Sequence, residues 1–136
     1  MLLNVSKLVT SRPPASPLDG VEKVAAGLLR YGVTAFVPTI ITSDPAHYEK
    51  LVAPIVEAWK REDEKDGPVR AHVLGVHLEG PFISVQGAHP REFMRAPGPE
   101  GFATVAAVYG SIVGDKADPA AAPNLPPVRI VTLAPE

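Results

Sequence analysis

The sequence predicts an α/β domain, a parallel sheet of about three strands with intervening helices, and three observations lead there. Apolar residues recur at helical spacing in three separate stretches, and short β-branched runs alternate with them along the chain. Helices that alternate with strands call for parallel β-α-β crossovers, which place helical layers against the sheet. At 136 residues the chain is also too short for a closed eight-stranded barrel, which needs roughly 250 residues. Three strands alone cannot close on themselves, so the sheet is expected to be open.

The elements follow in order. Residues 1–19 read as an irregular leader, because Pro13, Pro14 and Pro17 end any helix early. The domain proper spans 20–136. Its first helix covers 20–31, with Val21, Val24, Ala25, Leu28 and Leu29 on one face, Asp19 as N-cap and Gly32 as the stop. Val33-Thr34-Ala35-Phe36-Val37 is a short buried strand that Pro38 limits. Asp44-Pro45 has the form of a cap followed by proline at the first helical position. Tyr48, Leu51, Val52, Ile55, Val56 and Trp59 supply that helix's apolar stripe, with a kink expected at Pro54.

The charged run 61–67 ends this helix as a solvated segment. A second strand covers 71–78, a third helix 100–109 and a third strand 128–133. Between the last two lies an Ala- and Pro-rich loop, 115–127.

Composition excludes several classes of function. Thirteen basic and fifteen acidic residues leave a net charge of -2 with no basic stripe, so no nucleic-acid partner is expected. The apolar runs fall far short of the about 20 residues that a membrane span needs, and Asn4, Ser6 and Lys7 interrupt the N-terminus before a signal sequence can form. With no cysteine, any metal must be held by His, Asp, Glu or water. That composition suits a reducing compartment, and a cytoplasmic location is the expectation.

The chemistry concentrates in Leu74-Gly75-Val76-His77-Leu78-Glu79-Gly80-Pro81-Phe82-Ile83 and the following Gly87-Ala88-His89-Pro90. His77 and Glu79 are two apart on a strand and share one face, while Val76 and Leu78 point to the helical layer. Gly80-Pro81 ends the strand and leaves Glu79 at the rim of the sheet, where catalysis sits in barrel enzymes. There a carboxylate can reach a divalent cation, and it can equally cap a neighbouring helix or face water. His77 fits a hydrogen-bonded core histidine as well as a ligand. His47 and His72 have no acidic or glycine-rich context and belong to surface or packing.

His77-Leu78-Glu79-Gly80-Pro81-Phe82-Ile83 with Gly87-Ala88-His89-Pro90 resembles the motif of the N-acetylglucosamine-6-phosphate deacetylases of the amidohydrolase superfamily. Residues 32–43 resemble the strand before it and residues 128–136 the strand after it, in the family's order. Three co-linear blocks are far more specific than a lone motif. The resemblance implies an incomplete (β/α)₈ TIM-barrel fragment and hydrolysis of the acetamide of N-acetylglucosamine 6-phosphate to glucosamine 6-phosphate and acetate. It implies that Glu79 ligates a divalent cation, with zinc expected, that Ala88 and His89 contact the amino-sugar phosphate, and that His77 stands beside the site. It also implies a homo-oligomeric parent enzyme.

The departures from the family's pattern shape the expectation as strongly. A small β-sandwich and a first barrel strand should precede residue 20, and two metal-binding histidines and the catalytic aspartate should follow Glu136. No catalytic residue is therefore expected in this chain. The turn 84–87 is about two residues shorter than the family's. Two outcomes are foreseen: a deacetylase fragment inactive alone, or a non-catalytic half-barrel that serves as a binding or interaction module. Another amidohydrolase reaction, such as cyclic-amide hydrolysis, is the alternative chemistry.

Overall fold

The computed structural model describes residues 2–4, 16–61, 67, 69–96, 98–113 and 128–134. The loop 115–127 and all of the charged run except Arg61 and Gly67 lie outside them. Eight elements follow one another: β1 (Leu2–Asn4), α1 (Pro17–Leu29), β2 (Ala35–Ile41), α2 (Tyr48–Lys60), β3 (His72–Val73), β4 (Val76–Glu79), α3 (Phe102–Tyr109) and β5 (Val128–Thr132). Every strand pairing is parallel. The strands lie side by side as β1-β2-β4-β5, with β3 pairing β2 below β4. Order along the sheet thus follows order along the chain, as in the wall of a (β/α) barrel.

β1 corrects the leader expectation. Leu2-Leu3-Asn4 pairs with Val37-Pro38-Thr39, so the described part of the sheet includes a strand that the sequence did not predict. Three residues show no alternation from which a strand can be recognised; what holds them is pairing to β2. Residues 5–15 of the leader lie outside the described set. Its last residues belong to α1, which starts at Pro17 because Ser16, not Asp19, is the N-cap. The Ser16 Oγ accepts from the Asp19 N–H at 3.1 Å. Pro17 at the first position has no N–H to leave unsatisfied.

Pro38 does not limit β2 but sits inside it. A proline removes a ladder donor, which a strand tolerates where the ladder is already broken. Phe36 pairs with Val73 and Thr39 with His77, so β3 and β4 hold one extra residue opposite Pro38. That extra residue is absorbed at Leu74-Gly75, where Gly75 adopts a φ of 137°, a value L-residues rarely take. The single strand predicted over 71–78 is therefore two strands joined by a bulge.

α2 runs through Pro54 to Lys60, preceded by a 3₁₀ turn, Pro45–His47, whose cap is Asp44 as predicted. One core cluster joins Val21, Ala25 and Leu28 of α1, Val52 and Ile55 of α2, Phe36 and Ile40 of β2, and Val76 and Leu78 of β4. Tyr109 and Ile112, at the end of α3 and in the turn after it, complete the cluster. Arg70, on the way into β3, ties the helices together by donating to Glu22 Oε1 at 3.0 Å and to the Ala58 carbonyl at 2.9 Å. The helical layer therefore packs on the Phe36, Ile40 and Leu78 face and leaves the alternate residues of β2, β4 and β5 on the other.

Candidate functional site

The face away from the helices carries Thr39 and Ile41 of β2, His77 and Glu79 of β4, and Ile130 and Thr132 of β5. Register brings their C-terminal ends level: Ile41 lies opposite Glu79, and Glu79 opposite Thr132. His77 is 1 % exposed. Its Nδ1 lies 3.1 Å from Thr39 Oγ1 and its Nε2 2.8 Å from Thr132 Oγ1, so one ring bridges three strands. A neutral imidazole has one donor and one acceptor, which matches two hydroxyls that can each play either part. Burial pushes the His77 pKa below its ordinary value, and the nearby Glu79 charge opposes this less strongly. His77 is thus the hydrogen-bonded core histidine among the two readings of the sequence.

Glu79 stands one step higher, half-buried at the strand end. His89 returns to it from the turn after β4, with Nε2 4.0 Å from Glu79 Oε2. The other ring nitrogen of His89, Nδ1, lies 2.8 Å from the hydroxyl of Thr42, the residue after β2. Gly80 makes this arrangement possible. Its φ is +86°, and a Cβ there would fall on the Thr42 hydroxyl and 3.5 Å from His89 Nδ1. The predicted pair Glu79 and His89 is therefore brought together, while Ala88 is exposed on the adjoining turn and offers no polar side chain. His47 and His72 are both exposed.

Two tyrosines brace the rim from the helical side. Tyr109 OH donates to the Gly80 carbonyl, and Tyr48 OH accepts from the Ser43 N–H at 3.1 Å. Their rings meet edge to face with centroids 5.0 Å apart. Burial raises both phenol pKa values, and for Tyr109 the neighbouring Tyr48 adds to the effect. The sequence placed Tyr48 on the apolar stripe of its helix and missed both tyrosine hydroxyls, as it missed those of Thr39, Thr42 and Thr132. Single hydroxyls carry no spacing pattern; the one available signal was strand alternation, which puts Thr39 and Thr132 on the His77 face.

The donor chemistry limits what this part of the rim holds alone. Among the described residues no three His, Asp, Glu or Cys side chains gather as a metal site, whereas catalytic zinc sites usually present three protein ligands. Glu79 and His89 by themselves do not fit a catalytic cation. A separate open cleft of about 240 Å³ is lined by Phe82, Ile83, Arg91, Met94 and Arg95 among others, and neither Glu79 nor His89 lines it. No helix among the described residues is long and apolar enough to cross a membrane.

No family model matches the chain, but individual proteins do. It is 44% identical over 120 residues to the N-acetylglucosamine-6-phosphate deacetylase of Rattus norvegicus and 43% identical over 120 residues to that of Homo sapiens. In both cases the match takes in 87% of this chain and 25% of the relative. The Bacillus subtilis protein of the same name is 33% identical over 107 residues, 77% of this chain and 23% of the relative. The chain thus spans about a quarter of the length of the curated relatives it matches.

Proposed function

We propose, for a chain that belongs to the N-acetylglucosamine-6-phosphate deacetylase family, that it supplies one wall of that enzyme's site and not the whole of it. The reaction is hydrolysis of N-acetyl-D-glucosamine 6-phosphate: water adds across the acetamide C–N bond, and acetate and D-glucosamine 6-phosphate leave. The observation that carries the proposal is the identity of 44% with a deacetylase across nearly the whole chain. The geometry supports it, because Glu79 and His89 meet at the C-terminal rim of a parallel sheet, where barrel enzymes act.

In this proposal Glu79 is one ligand of a divalent cation, zinc by expectation. His89 and the backbone at Ala88 face the amino sugar, and His77 holds the strands that place Glu79. The chain by itself does not turn substrate over, because the described residues bring too few donors to one point.

A chimera tests the assignment. The segment of the Bacillus subtilis relative that aligns with this chain is replaced by the chain's own residues, and acetate release is measured with and without Glu79→Gln. Acetate release is expected from the chimera. It should fall in the variant by more than the roughly 10- to 100-fold that losing an outer partner of a metal ligand costs. A folded chimera without activity, or one indifferent to Glu79→Gln, would sink the assignment. Purified chain with added Zn²⁺ or Co²⁺ is expected to release no acetate; turnover abolished by Glu79→Gln would overturn the claim of inactivity.

A further inference from the structure

Thr42 is the residue at the rim that neither the motif nor the family resemblance singles out, and its surroundings are restrictive. It is 2 % exposed, and its hydroxyl lies 2.8 Å from His89 Nδ1. Among the described residues that hydroxyl has no other hydrogen-bond partner. For the neutral ring two arrangements of protons are open. If His89 carries its proton on Nδ1, it donates to Thr42, and the Thr42 O–H is then buried with no acceptor. The His89 Nε2 lone pair would in addition face the Glu79 carboxylate at 4.0 Å, an electrostatically unfavourable pairing. If His89 carries its proton on Nε2, Thr42 donates to Nδ1 and the Nε2–H points toward the carboxylate. Only the second arrangement gives the buried Thr42 hydroxyl an acceptor, and leaving a buried donor unpaired costs about 1–3 kcal/mol.

We propose that Thr42 is a positioning residue that fixes the proton of His89 on Nε2, so that His89 offers a hydrogen-bond donor beside Glu79 and cannot ligate a cation through that nitrogen. The ligand chemistry this selects is an oxygen acceptor, such as an amide carbonyl or a sugar hydroxyl. That last step rests on the deacetylase assignment, while the tautomer does not. Gly80 belongs to the same device: only a residue without a Cβ lets the Thr42 hydroxyl lie against the backbone at this point. The ordering of the imidazole by a group on its far nitrogen is the common way proteins set a histidine's role.

Long-range ¹H–¹⁵N correlation spectra of the ¹⁵N-labelled chain at neutral pH test this without any activity. The His89 signals are identified by their absence in His89→Asn. Wild type is expected to show Nδ1 unprotonated and Nε2 protonated. Thr42→Ser, which keeps the hydroxyl, should retain that pattern, and Thr42→Val should lose it in favour of a mixture of tautomers. The signals of His77, held by Thr39 and Thr132, report whether the valine variant keeps the fold, and they should not move. Wild-type His89 with its proton on Nδ1 would overturn the proposal. So would a valine variant whose His77 signals are native and whose His89 pattern is unchanged. An inactive chimera with the predicted tautomer would instead strike the deacetylase assignment alone.

Discussion

Replacing His77 by leucine separates the two things this residue does, hydrogen bonding and titration. Leucine fills a similar volume, so the packing of a side chain that is 1 % exposed is largely kept. Both ring nitrogens go. Thr39, itself 3 % exposed, keeps a buried hydroxyl without its partner, which costs about 1–3 kcal/mol. Thr132 is half-buried and finds water, so its loss is nearer the net value of a hydrogen bond, about 1 kcal/mol. Against this, the imidazole no longer has to be dehydrated, which returns about 1 kcal/mol. A net loss of about 2 kcal/mol is expected at pH 8.

The sign of the pH dependence follows from burial. The folded-state pKa of His77 is depressed, so the unfolded chain takes up the proton first as pH falls through about 6.5. The stability that neutral His77 contributes is therefore present above that pH and is lost below it, at up to about 1.4 kcal/mol per unit until the folded pKa is reached. The leucine variant lacks this term. Its deficit should shrink as pH falls from 8 to 5. Urea midpoints at several pH values in that interval measure the gap. Equal stability at pH 8, or a gap that stays constant across the interval, would refute the reasoning.

Two further substitutions address the rim. Gly80→Ala places a Cβ on a backbone at φ +86° and on the Thr42 hydroxyl; strain of about 1–2 kcal/mol and a lost buried hydrogen bond of similar size together predict about 3 kcal/mol of destabilisation in urea, and a cost below about 1 kcal/mol would contradict the packing described. Tyr109→Phe keeps the edge contact with Tyr48 but leaves the buried Gly80 carbonyl without its donor. It should cost about 1–2 kcal/mol, measured by thermal unfolding, and a neutral outcome would mean that the hydroxyl does not support the rim.

Much of the fold was legible because its elements repeat their pattern. The helical stripe from Tyr48 to Trp59 and the β-branched run from Val128 to Thr132 each span enough residues for periodicity to show. What escaped depended on a partner strand. Leu2–Asn4 is too short to alternate and exists through pairing with β2. Pro38 looks like a strand end in isolation, and its place inside β2 becomes reasonable only once the bulge at Gly75 lies opposite it. In both cases the deciding information sits some 35 residues or more away along the chain, beyond any local window.

The site divides along the same line. Glu79 and His89 drew attention in the sequence because a carboxylate precedes a glycine-proline break at a strand end, a histidine follows on the next turn, and both fall in the motif that carries the family resemblance. Thr39, Thr42 and Thr132 did not, because a threonine in or next to a strand ordinarily signifies β propensity alone. Yet the three hydroxyls are what convert two histidines into groups of defined direction, one inside the sheet and one at its rim. Gly80 shows how the levels join. By local chemistry it is half of a strand terminator, and in the fold it is also the space that Thr42 and His89 occupy. A substitution there would therefore disturb the orientation of His89 before it disturbed Glu79 itself, which sits on the strand below and is held in register on both sides by β2 and β5.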